Sequence, residues 1–226
     1  MSKLGLGSRT EAAAWVRAGR VCVNGRIVHD PEFPVYQGTD VIALDGAQTA
    51  ASTRRVIMLN KPRGLVTTTA DEKGRETVYR CFEGGGLPWL APVGRLDKAS
   101  EGLLLFTNDP VWAAGVTDPA ASISKTYHVQ ISRLPDAALL AAIERGVTTG
   151  GERLAVTTVR CLRSGAKHAW LEIILDEGRN RHIRRMLAVL DVSVLRLVRV
   201  ALGSLSLGDL PKGQWRELSP DEIAQI

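Results

Sequence analysis

The pattern of apolar and polar positions divides the chain into two textures. Near the start, Ala12, Trp15 and Val16 recur at the spacing of one helix face. Ser8 and Glu11 stand three apart ahead of that stripe, the pattern of a capping box, and Gly19 suits the helix end. Val21-Cys22-Val23 then meets Asn24-Gly25, the favoured pair of a two-residue hairpin turn, and Ile27-Val28 returns. A further short strand over 40–44 ends at Asp45-Gly46. The pattern predicts a helix followed by a small sheet over residues 1–46. Residues 47–54 are small and polar with no periodicity, which suits a linker.

From Arg55 the chain reads as strands. Val56 to Leu59 runs into the turn signal Asn60-Lys61-Pro62-Arg63-Gly64, after which Leu65 to Thr69 can pair back. Residues 70–88, with Gly84-Gly85-Gly86 and Pro88, read as a mobile insertion. Strands are predicted over 103–107, 125–131, 155–161 and 169–175, and over 194–207 as a bent or broken pair. Helices are predicted over 110–117, from the Asp136 cap to Gly146, and over about 180–190. Many strands with few helices, and no regular alternation of the two, argue for an α+β class with a mostly antiparallel sheet over 55–226.

Composition narrows the function classes. The 226-residue chain is 45% apolar and 23% charged, as soluble globular proteins are. No stretch approaches 18 consecutive apolar residues, and the first residues lack a secretory leader pattern, so the reading places the protein in the cytoplasm, away from membranes. Three cysteines and four histidines show no paired metal spacing, which argues against a zinc site or disulfide framework. The net charge of +5 is moderate, but its distribution is uneven. Lys3, Arg9, Arg17, Arg20 and Arg26 face only Glu11 within 1–29. Arg179, Arg181, Arg184, Arg185, Arg196 and Arg199 face only Asp191 within 178–199. Two basic patches point to a polyanion held at two places.

Two stretches carry candidate chemistry. In GRLDKASEGLLLFTND, residues 94–109, Asp97 lies between Arg95 and Lys98 at a polar corner that leads into an apolar run. A carboxylate at the mouth of a turn on a buried strand is held well for catalysis, although a solvated turn aspartate fits these features equally. On the helix over 180–190, Ile183, Met186, Leu187 and Leu190 fall within about 100° of one another. Arg181 and Arg185 lie opposite them, and Arg184 falls at the border. A half-buried guanidinium wants a carboxylate, and Asp97 is a candidate. An arginine whose stem covers core while its head stays wet fits as well.

Residues 7–28 and 40–46 resemble the small RNA-binding domain named for small-subunit ribosomal protein four. That family usually has another helix ahead of the glycine-serine-arginine turn, and only six residues precede Gly7 here. The second region resembles the bacterial ribosomal RNA pseudouridine synthases. The matching pieces are MLNKPRGLVTTT (58–69), PVGRLDKASEGLLLFTND (92–109), SKTYHVQI (124–131), EGRNRHIRRM (177–186) and LRLVRVALGSLSLGDLPKGQWREL (195–218). His182 stands where glutamine is usual, and Asp118 where histidine is common.

The resemblance implies a catalytic domain over 55–226 that isomerises a uridine to pseudouridine after flipping it out of its stack, with no cofactor and no metal. It implies Asp97 as the catalytic carboxylate, Tyr127 as the ring that stacks on the base, and Arg184 as the partner of Asp97. Arg9, Arg20, Arg26, Arg95, Lys98, Arg179, Arg181 and Arg185 are expected to contact RNA. The SEGLLL and RNRHIRRM forms favour 23S over 16S rRNA. The implied partners are ribosomal RNA and pre-ribosomal particles, acted on by a monomer. A non-catalytic rRNA-binding factor, or a metal-dependent nuclease using Asp97 and Glu101, are readings of other classes.

Overall fold

Local signals build the first region. The computed structural model describes residues 1–36, 38–49, 53–69 and 71–226. One 3-10 turn, Ser2–Leu4, stands ahead of helix α1 (Arg9–Arg17). The Glu11 amide donates to the Ser8 hydroxyl and the Ser8 amide donates to the Glu11 carboxylate, so the capping box closes on both sides. Strands β1 (Val21–Val23) and β2 (Arg26–Val28) pair antiparallel around Asn24 and Gly25. Both turn residues have positive φ, as a primed hairpin turn requires. Strands β3 (Ile42–Leu44) and β4 (Ala47–Gln48) complete the order β2-β1-β3-β4. Val16, Val21, Val23 and Val28 form the core, with Trp15 packed against it. The span read as a linker thus starts inside the sheet, because Ala47 and Gln48 pair with Leu44 and Ala43. Residues 50–52 of that span lie outside the described residues.

The second region is one large sheet. In chain order it contains β5 (Val56–Lys61), β6 (Ala91–Val93), β7 (Glu101–Thr107), helix α2 (Pro110–Thr117), β8 (Lys125–Ile131) and helix α3 (Ala137–Arg145). A two-stranded ribbon follows, β9 (Val147–Thr149) and β10 (Glu152–Leu154), and then β11 (Thr158–Ser164) and β12 (Ala169–Leu175). Helix α4 (His182–Val189), β13 (Val194–Leu202), β14 (Leu205–Ser206), β15 (Trp215–Glu217) and helix α5 (Pro220–Ala224) finish the chain. The sheet order is β11-β12-β8-β13-β7-β5-β15, with β14 on β13 and β6 on β7. Only β7 and β13 run parallel among these pairings. The class is α+β with a mostly antiparallel sheet.

Burial explains the two kinds of apolar run. β12 alternates buried and half-buried positions, because α3 and α4 cover one face and water reaches the other. β5 and β7 are buried at every position. One of their faces packs against α2, β14 and α5, and the other against Val78, Leu90 and Leu96.

Two expectations fail here. Leu65 to Thr69 does not pair back on β5, whose edges are taken by β7 and β15. Nor are residues 70–88 a loose insertion. Val78–Phe82 forms a 3-10 helix with Val78 fully buried, and Phe82 meets Phe106 edge to face at 4.8 Å. Residue 70 lies outside the described residues. The aromatic residues, not the glycines around them, decide where this segment goes.

Gly102 matters most for the site. It sits where β7 meets β13, paired with Arg199, at φ 101°. A Cβ there would lie 2.8 Å from the Arg199 nitrogen and closer still to its carbonyl oxygen. Only glycine allows this approach.

Candidate active site

The loop between β6 and β7 is held through its main chain. Five successive carbonyls, 96 to 100, each accept a hydrogen bond from outside the loop. Thr67 Oγ1 donates to Leu96 O at 2.8 Å, and the Gly64 amide to Lys98 O at 2.8 Å. Arg184 Nη2 donates to Ala99 O at 3.0 Å. Lys61 Nζ donates to Asp97 O at 3.2 Å, to Ser100 O at 2.9 Å and to its neighbour Pro62 O at 3.1 Å. Lys61 is fully buried at the end of β5, and burial lowers its pKa to about 8, against a pull upward from Asp97.

This mount presents the Asp97 side chain, 36% exposed, to a cavity of about 930 Å³. Tyr127 of β8 and Arg199 of β13 line the same cavity. Arg181 Nη1 approaches Asp97 Oδ2 to 3.7 Å. Arg181 is the residue before α4 and has φ 50°, a left-handed backbone that turns its side chain away from the helix line.

Arg184 is half-buried, as the helix geometry predicts, but it does not form the direct ion pair expected with Asp97. Its guanidinium is committed to two carbonyls, Ala99 O and Val194 O, the latter at 3.3 Å, and its Nε is buried with no hydrogen-bond partner among the described residues. Burial and then the charge of Arg181 lower its pKa, while Asp97 raises it. What ties Arg184 to the Asp97 loop is therefore its hydrogen bond to Ala99 O, two residues beyond Asp97. The Tyr127 ring is half-buried, packs against two apolar clusters and makes no hydroxyl hydrogen bond among the described residues.

The expected basic patches are partly neutralised. Arg20 forks onto Asp45 at 2.9 and 2.5 Å, Arg179 meets Glu177 at 2.8 Å, and Arg185 meets Glu152 at 2.6 Å. Arg196 forks onto buried Glu101, which Lys212 also holds. Arg9, Arg26, Arg95 and Lys98 are exposed and form no ion pair among the described residues. The cations free to meet a phosphate are thus fewer than a charge count suggests. Lys61, Lys125 and Arg199 enter the site unforeseen. The only signal for Lys61 was a charged residue closing an apolar strand.

Comparison with known proteins follows this geometry. A family model described as RNA pseudouridylate synthase matches residues 55–189, more than half of the chain. The chain belongs to the RNA pseudouridylate synthase family. An S4 domain model matches residues 1–41 of this synthase. It is 33% identical to ribosomal large subunit pseudouridine synthase B of Bacillus subtilis, over 98% of this chain and 91% of that one. The Escherichia coli K12 protein of the same name is 35% identical over 96% of this chain and 77% of its own length. A solved pseudouridylate synthase superposes with a TM-score of 0.67 at 30% identity, covering 99% of this chain and 95% of that one. Among the described residues, no three His, Cys, Asp or Glu side chains gather as a metal ion would need, and no helix is long and apolar enough to cross a membrane.

Proposed function

We propose that this synthase converts a uridine of 23S rRNA, the large-subunit RNA, to pseudouridine, with Asp97 as its catalytic carboxylate. The carrying observation is Asp97 itself, a carboxylate offered to a cavity roomy enough for a nucleoside on a loop tethered through five carbonyls. The names of the relatives support the choice of the large subunit over 16S rRNA.

The reaction breaks the N1–C1′ bond, turns the uracil and joins C5 to C1′, after which C5 loses its proton. Asp97 either attacks C1′ as a nucleophile or takes the C2′ proton to leave a glycal. Arg181 stands 3.7 Å from its carboxylate, and Arg184 holds the carbonyl of Ala99 two residues on. Tyr127 stacks on the uracil once the nucleotide has flipped, at a cost of about a few kcal/mol for unstacking. Arg95 and Lys98, flanking Asp97, hold backbone phosphates at the rim, with Arg179, Arg181 and Arg185 behind them. Arg9, Arg20 and Arg26 on the 1–46 domain hold RNA farther out, and 55–226 is the catalytic domain. The protein works as a cytoplasmic monomer on rRNA or pre-ribosomal particles. A nuclease pairing Asp97 with Glu101 finds no support, because Glu101 is buried and held by Arg196 and Lys212.

The test is tritium release from 23S rRNA transcribed with 5-tritiated uridine, comparing wild type with Asp97→Asn. Wild type should release tritium and the variant none. The variant should still fold, since the exposed contact with Arg181 is worth about 0–1 kcal/mol. Full activity in Asp97→Asn would remove Asp97 from the mechanism. Release from 16S but not 23S rRNA would overturn the substrate.

A further inference from the structure

Buried cations are costly, so one that faces a cavity without a carboxylate asks what it is for. Arg199 is such a group. It is only 7% exposed, yet it forms no ion pair among the described residues. Its Nε donates to Leu103 O at 2.7 Å, which fixes the direction of the guanidinium. Its two terminal nitrogens make no hydrogen bond among the described residues, and neither is sealed from the space of the cavity that Arg199 lines. Lys125 lines the same cavity, with Nζ on Asp176 O at 3.0 Å. Burial and then the charge of Arg199 lower the Lys125 pKa. The Asp176 carboxylate pulls the Lys125 pKa up, but no carboxylate forms an ion pair with Lys125 or Arg199 among the described residues.

Position decides the occupant. Arg199 and Tyr127 are directly paired across β13 and β8, so their side chains leave the sheet on one face as neighbours. A flipped nucleotide enters base first, and its phosphates stay at the rim. The exposed cations, Arg95 and Lys98, stand at that rim. A guanidinium more than nine-tenths buried beside the stacking ring meets the base.

We propose that Arg199 is a further catalytic residue, whose free nitrogens donate to a carbonyl oxygen of the flipped uracil and stabilise that base as it departs. This inference rests on the synthase reading above. On either route the electron pair of the N1–C1′ bond passes to N1 and spreads over O2 and O4. C1′ is meanwhile taken by the Asp97 oxygen, or by the C1′=C2′ bond formed as Asp97 removes the C2′ proton. A fixed cation at a carbonyl oxygen is worth more to that developing anion than to neutral uracil. The anion is consumed when C5 bonds to C1′, so no charge persists beside Arg199. Glycine at 102 belongs to the same device, because the close approach of β7 brings the Leu103 carbonyl under Nε.

The experiment compares wild type, Arg199→Lys and Arg199→Met on two 23S rRNA transcripts, one with uridine and one with 5-fluorouridine, whose base is the better leaving group. Single-turnover loss of the target N-glycoside is read by nuclease digestion, liquid chromatography and mass spectrometry, since the fluorinated base keeps its C5 fluorine and ends as a C-glycoside without the final proton loss. RNA affinity is read by filter binding, and folding by thermal melting. On uridine, Arg199→Met should slow conversion by about 10²-fold, with RNA affinity unchanged and Arg199→Lys in between. On 5-fluorouridine the loss should shrink to less than about tenfold, because the leaving group needs less help. Equal losses on the two RNAs overturn the proposal, as does a loss of affinity that accounts for the loss of rate, which would mark a phosphate contact. Full rate in Arg199→Met overturns it too. If Arg199→Met does not fold, Arg199→Lys decides by the same comparison of the two RNAs. Absence of pseudouridine with wild type would instead sink the function proposed above.

Discussion

Replacing Gly102 by alanine tests the geometry on which the whole site rests. The backbone there has φ 101°, a conformation that costs an L-residue about 1–3 kcal/mol. The added Cβ would lie 2.8 Å from the Arg199 nitrogen and deeper still into its carbonyl oxygen. These are backbone atoms of a paired strand, so no side chain can swing aside, and forcing them apart costs about another 1–3 kcal/mol. β7 and β13 pair here through only two positions, Val198 with Glu101 and Arg199 with Gly102, so the pairing has no length over which to spread the distortion. The sum is about 4 kcal/mol. For a chain of this size that lowers Tm by about 8–16 °C, read by circular dichroism melting and urea titration. Gly115→Ala is the control. It lies in α2 in open space, and alanine there should be neutral or stabilising by up to about 1 kcal/mol. A Gly102→Ala protein within about 1 kcal/mol of wild type would refute the close-approach reasoning.

Two further substitutions read the charges behind the site. The folded Lys61 pKa of about 8 lies below the unfolded value of about 10.4, so the native state loses its proton first and stability rises with pH across that window. Between pH 7 and 10.5, wild type should gain about 3 kcal/mol relative to Lys61→Met in urea titrations; parallel pH curves would show that Lys61 is not buried as described. Burial pushes the Glu101 carboxyl up, but the hydrogen bonds from Arg196 and Lys212 outweigh it and hold the pKa below the ordinary value. Its contribution is therefore present above the unfolded pKa and lost as pH falls through the folded one. Glu101→Gln should cost about 2–3 kcal/mol at pH 7, less than a fully buried pair because both partners keep contact with water. Urea curves of variant and wild type should converge in acid, and an equal gap at pH 3 and pH 7 would contradict the pairing.

Much of the fold was legible because its signals are local. The Ser8–Glu11 box, the Asn24-Gly25 turn, and the Asp136 and Gly146 boundaries of α3 each need only neighbouring residues. β8 and β12 were legible from their apolar runs. The 3-10 helix at Val78–Phe82 was not, since Phe106 places it and Phe106 is more than twenty residues away. β9, β10 and β15 are three residues long, too short for any period to show. The site divided in the same way. Periodicity marked Arg184 as half-buried, but its actual acceptors, Ala99 O and Val194 O, are main-chain atoms that no side-chain pattern announces. Arg181 is exposed, as the helix pattern had it, but its left-handed backbone and its approach to Asp97 were not legible. Lys61 read as part of a turn, and Arg199 as one charge of a basic patch. Only the assembled sheet shows that they are buried.

The five tethered carbonyls of residues 96–100 separate two kinds of information in one short loop. Where the loop stands is encoded by Thr67, Gly64, Lys61 and Arg184, none of which belongs to it. The side chains it carries at 95, 97 and 98, to which the proposed chemistry belongs, take no part in those tethers. An interchangeable tool in a fixed socket is the result. Silencing Asp97 should leave a protein that still seats its RNA and holds it unreacted, a ready-made capture reagent for the RNA on which it acts.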